Sequence, residues 1–175
     1  MRRKLIIALF AGLLTGSIGC PGPLFAESKP HQLVVLSKVF HIDREYMSMD
    51  GPSSEEVANF NEGQKPELLW ITGFKAEVID PVTQAPMSLE YFCHTNLQFN
   101  TVDIAKRKKA FGEWTLNDFK LVSLVQGKTE VNLPKGFGIP IFSDERISSY
   151  SMVINPNKNM KPFDVQVRAI YTYVK

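Results

Sequence analysis

Apolar and polar residues alternate along much of this chain with the period of two that is typical of β-strands. The clearest example is "FDVQVRAIYTYVK", residues 163–175. Every second side chain on one face of this stretch is apolar or aromatic: Phe163, Val165, Val167, Ala169, Tyr171 and Tyr173. The pattern predicts a long strand with one buried face.

Similar but shorter patterns, separated by Gly, Pro, Asn and Asp, predict further strands. They cover residues 33–42, 67–80, 87–100, 118–127, 131–145 and 147–157. The second of these allows one long strand or two with a bulge at Gly73, and prolines and glycines break the fifth. Residues 53–60, "SSEEVANF", have a serine cap followed by two glutamates and predict a helical turn. The sum is about eight strands in one domain, residues 27–175, an all-β antiparallel β-sandwich of jelly-roll type.

The first 26 residues differ from the rest and predict an export signal. "MRRK" is positively charged, and Leu5 to Ile18 is apolar, which is too short to span a membrane and suits a signal-peptide core. Cleavage before Cys20, in "GSIGC", would give a lipoprotein tethered to a membrane by acyl chains on that cysteine. Cleavage after Ala26 would give a soluble exported protein. Both routes stay open, and each predicts a periplasmic or membrane-anchored location.

Removing the signal changes the net charge. The whole chain has 20 Lys plus Arg and 18 Asp plus Glu, and Arg2, Arg3 and Lys4 lie in the signal, so 17 − 18 gives −1 for the mature domain. Nucleic-acid binding requires many cations to neutralise phosphates. We therefore expect no nucleic-acid partner.

The candidate chemistry lies in "EYFCHTNLQF", residues 90–99, where Cys93 is followed by His94. In a regular strand adjacent side chains point to opposite faces, which would place Cys93 with Leu97 and Phe99 and His94 with Phe92. Both could bind one metal ion only if the strand is bulged, twisted or at a sheet edge. The alternative is a buried, inert cysteine beside a surface histidine. The other two histidines, His31 and His41, are expected at the surface or at strand edges.

Three stretches in order resemble the copper type II, ascorbate-dependent monooxygenases, the peptidylglycine alpha-hydroxylating monooxygenase group. They are "REYMSMDGP", then "LLWITGFKAEVID" with "SLEYFCHTNLQF", then "NLPKGFGIPI" with "SSYSMVINPN". The resemblance covers residues 33–175 and is to the N-terminal domain of that family alone. It implies a jelly-roll domain that holds an electron-transfer copper through a histidine pair and a third histidine on a later strand.

The sequence departs from that pattern at two ligands. The pair falls on Cys93 and His94, and the later strand has no histidine but has Met152. Thiolate and thioether donors favour Cu(I). The resemblance therefore implies a copper site of Cys93, His94 and Met152, with Met47 and Met49 as supplements, unless these methionines only fill the core.

Because the resemblance lacks the second, oxygen-binding domain, we expect no monooxygenase activity from this chain alone. The first functional expectation is an exported copper-binding protein for storage, delivery or electron transfer, with a copper-trafficking protein as partner. The second is a metal-free interaction module or lipoprotein. The third is a monooxygenase subunit completed by a second β-domain protein.

Overall fold

The computed structural model describes residues 29–60, 65–100, 108–109 and 120–175, and these residues form two antiparallel β-sheets packed face to face. The strands are β1 (His31–Leu36), β2 (Phe40–Ile42), β3 (Ser53–Ala58), β4 (Leu68–Ile79), β5 (Phe92–Phe99), β6 (Lys120–Val125), β7 (Glu130–Asn132), β8 (Ile139–Phe142), β9 (Ile147–Val153) and β10 (Phe163–Val174). A single 3-10 turn, Leu89–Tyr91, precedes β5.

The first sheet has the order β1-β10-β4-β7, with β2 also on β10 and β8 also on β4. The second has the order β3-β9-β5-β6. Strands β1 and β2 lie end to end along β10, and β7 and β8 lie end to end along β4, so each pair acts as one broken strand. Counting each broken pair as one strand gives eight strands. The first of these pairs with the eighth, the second with the seventh, the third with the sixth, and the fourth, β5, with the fifth, β6, which is the nested pairing of a jelly roll. The predicted all-β sandwich is confirmed.

The last strand lies at the centre of the first sheet and has the predicted alternation. Val165, Val167 and Tyr171 have 0% of their surface exposed, and Ala169 has 1%. Phe163 and Tyr173, at its two ends, are partly buried against the same core. The period-two pattern therefore predicted both the strand and its buried face.

The helical turn predicted at residues 53–60 is wrong. Ser53–Ala58 is strand β3, and all six residues pair with β9, from Ser53 opposite Met152 to Ala58 opposite Ile147. A helix of so few residues is unstable in isolation, whereas pairing with a neighbouring strand satisfies the backbone groups of the same segment. Ser54 and Ala58 point inward, so the segment also contributes buried surface.

A bulge and a break were predicted in the strands from their glycines and prolines, and the structure has an irregularity near each predicted place. Strand β4 is continuous, but its register with β10 shifts between Thr172, which faces Gly73, and Tyr173, which faces Ile71. The extra residue is Thr72, beside the glycine where a bulge was predicted. Residues 133–138 separate β7 from β8, both of which pair with β4, as the prolines and glycines indicated.

The hydroxyl of Tyr171 is buried in this core, and no described group completes a hydrogen bond with it. Burial raises the pKa of Tyr171, and the nearby Ser149 counteracts only part of that rise. Unfolding exposes a phenol that ionises near pH 10, so the unfolded state loses protons first and the free energy of unfolding falls as the pH rises above about 10.

We expect Tyr171→Phe to keep or raise stability at pH 7, by up to about 1 kcal/mol, because it removes an unsatisfied buried donor. It should also reduce the loss of stability above about pH 10. Urea unfolding at pH 7 and pH 10.5 measures both effects, with Tyr173→Phe, whose side chain is partly exposed, as the control. A marked loss of stability at pH 7 would show that the hydroxyl has a partner.

Candidate functional site

Strand β5, which carries Cys93 and His94, lies inside the second sheet between β9 and β6. Its register with β9 shifts near the start: Phe92 faces Val153 and His94 faces Met152, which leaves Cys93 as an extra residue without a partner in β9. This arrangement is a β-bulge. It meets the structural condition under which both side chains can lie together.

Core packing explains the bulge. Phe92, Thr95 and Leu97 all have 0% of their surface exposed. In a regular strand Phe92 would point away from the face that buries Thr95 and Leu97, because side chains alternate. One inserted residue, Cys93, lets Phe92 join that face, and the hydroxyl of Thr95 meets that of Ser151 at 3.0 Å in the interior.

The face assignment made from the regular period is therefore wrong at two residues. Phe92 lies in the core, where Cys93 was placed, and Cys93 is half-buried as a free thiol beside His94. The sulfur of Cys93 lies 3.3 Å from Nδ1 of His94. The bulge thus produces a direct thiol–imidazole contact on the outward side of the sheet.

Met152 lies opposite His94 on β9. Its side chain is 6% exposed, yet Met152 does not belong to the main core cluster. The neighbouring residues Ser151 and Val153 point inward, so Met152 points outward, as His94 does. Cys93, His94 and Met152 therefore occupy adjacent positions on one face.

The ring of His94 is held beside that of Tyr150, with 5.7 Å between their centroids and 31° between their planes. Burial lowers the pKa of His94, and the charge of Lys120 lowers it further. The folded protein therefore keeps His94 neutral at pH values where the unfolded chain would protonate it. It follows that stability decreases as the pH falls below about 6.5, and that the imidazole is available to a metal at neutral pH.

The donors can be compared with the geometry of a soft metal ion. Zinc sites serve as the reference: bonds of about 2.3 Å to sulfur and about 2.0 Å to nitrogen at a tetrahedral angle separate the two donor atoms by about 3.5 Å. The observed distance of 3.3 Å is close to this value, so a small rotation of either side chain admits an ion. One thiol, one imidazole and one thioether suit Cu(I) better than harder ions.

The remaining candidates lie elsewhere. Met47 and Met49 are 58% and 66% exposed in the turn before β3. His31 stacks on Tyr173 at 5.4 Å, and Nδ1 of His41 pairs with Asp164 at 2.8 Å. Both histidines are exposed on the first sheet, as expected. Cys20 and both cleavage positions lie outside the described residues.

Sequence reasoning missed the polar surroundings of the pair. Tyr150 contacts His94 and donates from its hydroxyl to that of Ser53 at 3.0 Å, while Ser123 donates to Asn96 at 2.8 Å. Tyr150 and Met152 are two positions apart in β9, so the period of a strand predicts that they share a face. The register of β9 against β5 could not be predicted from the sequence.

Within residues 29–60, 65–100, 108–109 and 120–175, no three His, Cys, Asp or Glu side chains converge as a metal-binding group. In the same ranges no helix is long and apolar enough to cross a membrane. No protein-family model, curated protein or solved structure matches the chain. The resemblance to copper monooxygenases therefore stays a prediction.

Proposed function

We propose that this protein is an exported copper-binding protein that holds one Cu(I) ion through Cys93, His94 and Met152. The observation that carries the proposal is the β-bulge at Cys93, which brings its sulfur to 3.3 Å from the imidazole of His94. The position of Met152 opposite His94 supplies the third soft donor.

The partly buried position of these donors suits storage, delivery or electron transfer better than catalysis. Three protein ligands satisfy Cu(I), and a half-buried thiol and imidazole leave the ion accessible to a copper-trafficking partner. We assign oxygen activation to none of the residues that the structure describes. A monooxygenase reaction would need a second β-domain protein that holds its own copper.

A metal-free interaction module is the second candidate function. It is favoured by the lack, among the described residues, of three converging His, Cys, Asp or Glu side chains. In that case the 3.3 Å contact is a hydrogen bond between the thiol and the imidazole. The two candidates differ in metal content.

Copper uptake by the purified mature protein tests the proposal. Under reducing conditions we expect about one equivalent of Cu(I), held more tightly than Zn(II), because sulfur donors prefer the softer ion. Elemental analysis after growth with copper and with zinc, followed by competition with a Cu(I) chelator, measures both quantities. Protein that takes up no copper would leave only the metal-free module.

A further inference from the structure

An apolar surface with two aromatic side chains lies on the outer face of the first sheet, at one end. Leu68 and Trp70 of β4 are 43% and 40% exposed, and Phe137, in the loop before β8, is 67% exposed. Partly buried apolar neighbours on the adjoining strands extend this tryptophan patch: Pro140 and Val174 opposite Trp70, and Phe142 opposite Leu68.

The loop of residues 133–138 is fixed against Trp70. The backbone N–H of Leu133 donates to the carbonyl of Thr72, and that of Phe137 donates to Pro134 at 2.9 Å. A methyl group at Gly138 would lie only 2.9 Å from Cβ of Trp70, so the loop backbone contacts that side chain directly. Phe137 precedes the glycine that approaches Trp70, and its side chain is 67% exposed.

The outer face of the second sheet provides a contrast, because its exposed apolar residues, Val57 and Val125, lie apart on the two edge strands. There Glu55 accepts hydrogen bonds from Gln98 and Ser148, and the Tyr150 hydroxyl donates to Ser53. Single exposed apolar residues are normal on protein surfaces, but a cluster of large ones marks an interaction site. The tryptophan patch is therefore a candidate contact surface.

Charge at the rim of the patch favours an anionic partner. Glu67 pairs with Lys175 at 3.0 Å, and Asp144 is exposed just after β8. Glu145 lies buried beside Phe142, so four lysines at this end of the described structure, Lys29, Lys65, Lys135 and Lys175, stand against three carboxylates. Amphipathic aromatic rings with flanking lysines are typical of surfaces that lie in the interface of a bilayer.

The chain enters the fold at the same end. His31 faces Tyr173, Tyr173 faces Ile71, and Ile71 faces Ile139, so the first residue of β1 lies in the row next to Trp70. Two strand spacings of about 4.8 Å separate β1 from β4, or about 10 Å. Ten residues separate Cys20 from His31, which makes eleven Cα–Cα steps and a reach of at most about 40 Å. An anchor at Cys20 would therefore allow the tryptophan patch to reach the membrane.

We propose that the tryptophan patch rests on the surface of an anionic lipid bilayer. The expected orientation on the membrane depends on the proposed lipid anchor at Cys20. The assignment of the patch as a contact surface depends only on its exposed aromatic residues and the lysines around it. Contact with the bilayer would leave the outward face of the second sheet, with Cys93 and His94, turned away from the lipid and open to a partner.

The test places the mature protein on vesicles of phosphatidylglycerol and phosphatidylethanolamine with brominated acyl chains, which quench nearby tryptophans. Trp114→Phe leaves Trp70 as the only tryptophan, since the chain has two. We expect its emission to lose intensity and shift to shorter wavelength. Phe137→Glu with Lys135→Glu should weaken both changes while the circular dichroism spectrum stays unchanged.

The matched control moves the reporter to the other sheet. Val57→Trp, combined with Trp70→Phe and Trp114→Phe, places a tryptophan at a position that is 52% exposed on β3. This reporter should not be quenched. Equal quenching of Trp70 and of the reporter at position 57, or quenching of neither, would overturn the patch proposal. Acylation of Cys20 is measured separately by mass spectrometry and does not depend on that result.

If the mature protein starts at Glu27 without acyl chains, the same vesicles are added to the free protein. Selective quenching of Trp70 then supports the patch without the anchor, and unquenched Trp70 overturns the proposal.

Discussion

Cys93→Ser and His94→Ala should each lower the Cu(I) affinity of the mature protein by more than about 100-fold, since even groups that only support a ligand cost 10–100-fold. Each substitution removes one of the three proposed donors, and we expect the two that remain to be too few to hold the ion against a chelator. Competition with a chelator of known affinity measures the loss. His41→Ala is the matched control, because His41 is exposed and pairs with Asp164 on the other sheet.

Met152→Leu separates a ligand from a packing residue. Leucine keeps nearly the same volume, so the swap should change the free energy of unfolding by less than about 1.5 kcal/mol. A clear drop in Cu(I) affinity with unchanged stability would assign the thioether as a donor. Unchanged affinity would remove Met152 from the site and leave the pair Cys93 and His94.

The proposed Cu(I) site should also depend on pH. Binding requires a neutral imidazole and displaces the thiol proton, so affinity decreases as the pH falls. Because burial lowers the pKa of His94, this residue should not limit binding until the pH is below about 6.5. Loss of copper well above that pH, with His94 still neutral, would exclude His94 as the group that controls binding.

Gly51→Ala should be the most destabilising single methyl addition among the described glycines. A Cβ at this position would lie 1.8 Å from the carbonyl oxygen of Val153, which belongs to the backbone of β9 and cannot rotate away. We expect a loss of about 3 kcal/mol, the upper range of overpacking, and a melting temperature lower by about 6–12 °C.

Gly127→Ala is the control for this prediction, because a Cβ there meets no atom within 4 Å. Thermal unfolding of both variants by circular dichroism makes the comparison. A melting temperature for Gly51→Ala within about 2 °C of the unmodified protein would mean that the turn lies farther from β9 than described. Since Val153 follows Met152, copper affinity should fall together with stability.

The sequence predicted those parts of the fold in which local pattern and burial agree. Strand β10 is the best example, because its alternating residues all face one core. The prediction for Ser53–Ala58 was wrong because its serines and glutamates match the start of a helix locally. Its structure is determined instead by pairing with β9, which lies nearly a hundred residues later in the chain. Such long-range pairing leaves no local signal.

The candidate site was predictable in its residues but not in its geometry. Phe92 and Leu97 are five positions apart, so a regular strand cannot bury both, and that conflict was the available signal for a bulge. It could not show which residue would be inserted. The contacts of Tyr150 with His94 and of Ser123 with Asn96 depend on the registers of β9 and β6 against β5, which only the folded structure shows.

The central place of β10 in the first sheet has a consequence for synthesis. β1, β2 and β4 all pair with this strand, and all of them precede it in the chain. Of the described strands, β10 is also the last to be synthesised. β1 and β2 cannot join β4 in one sheet until β10 is available, so the first sheet closes only after the last of its strands has been made.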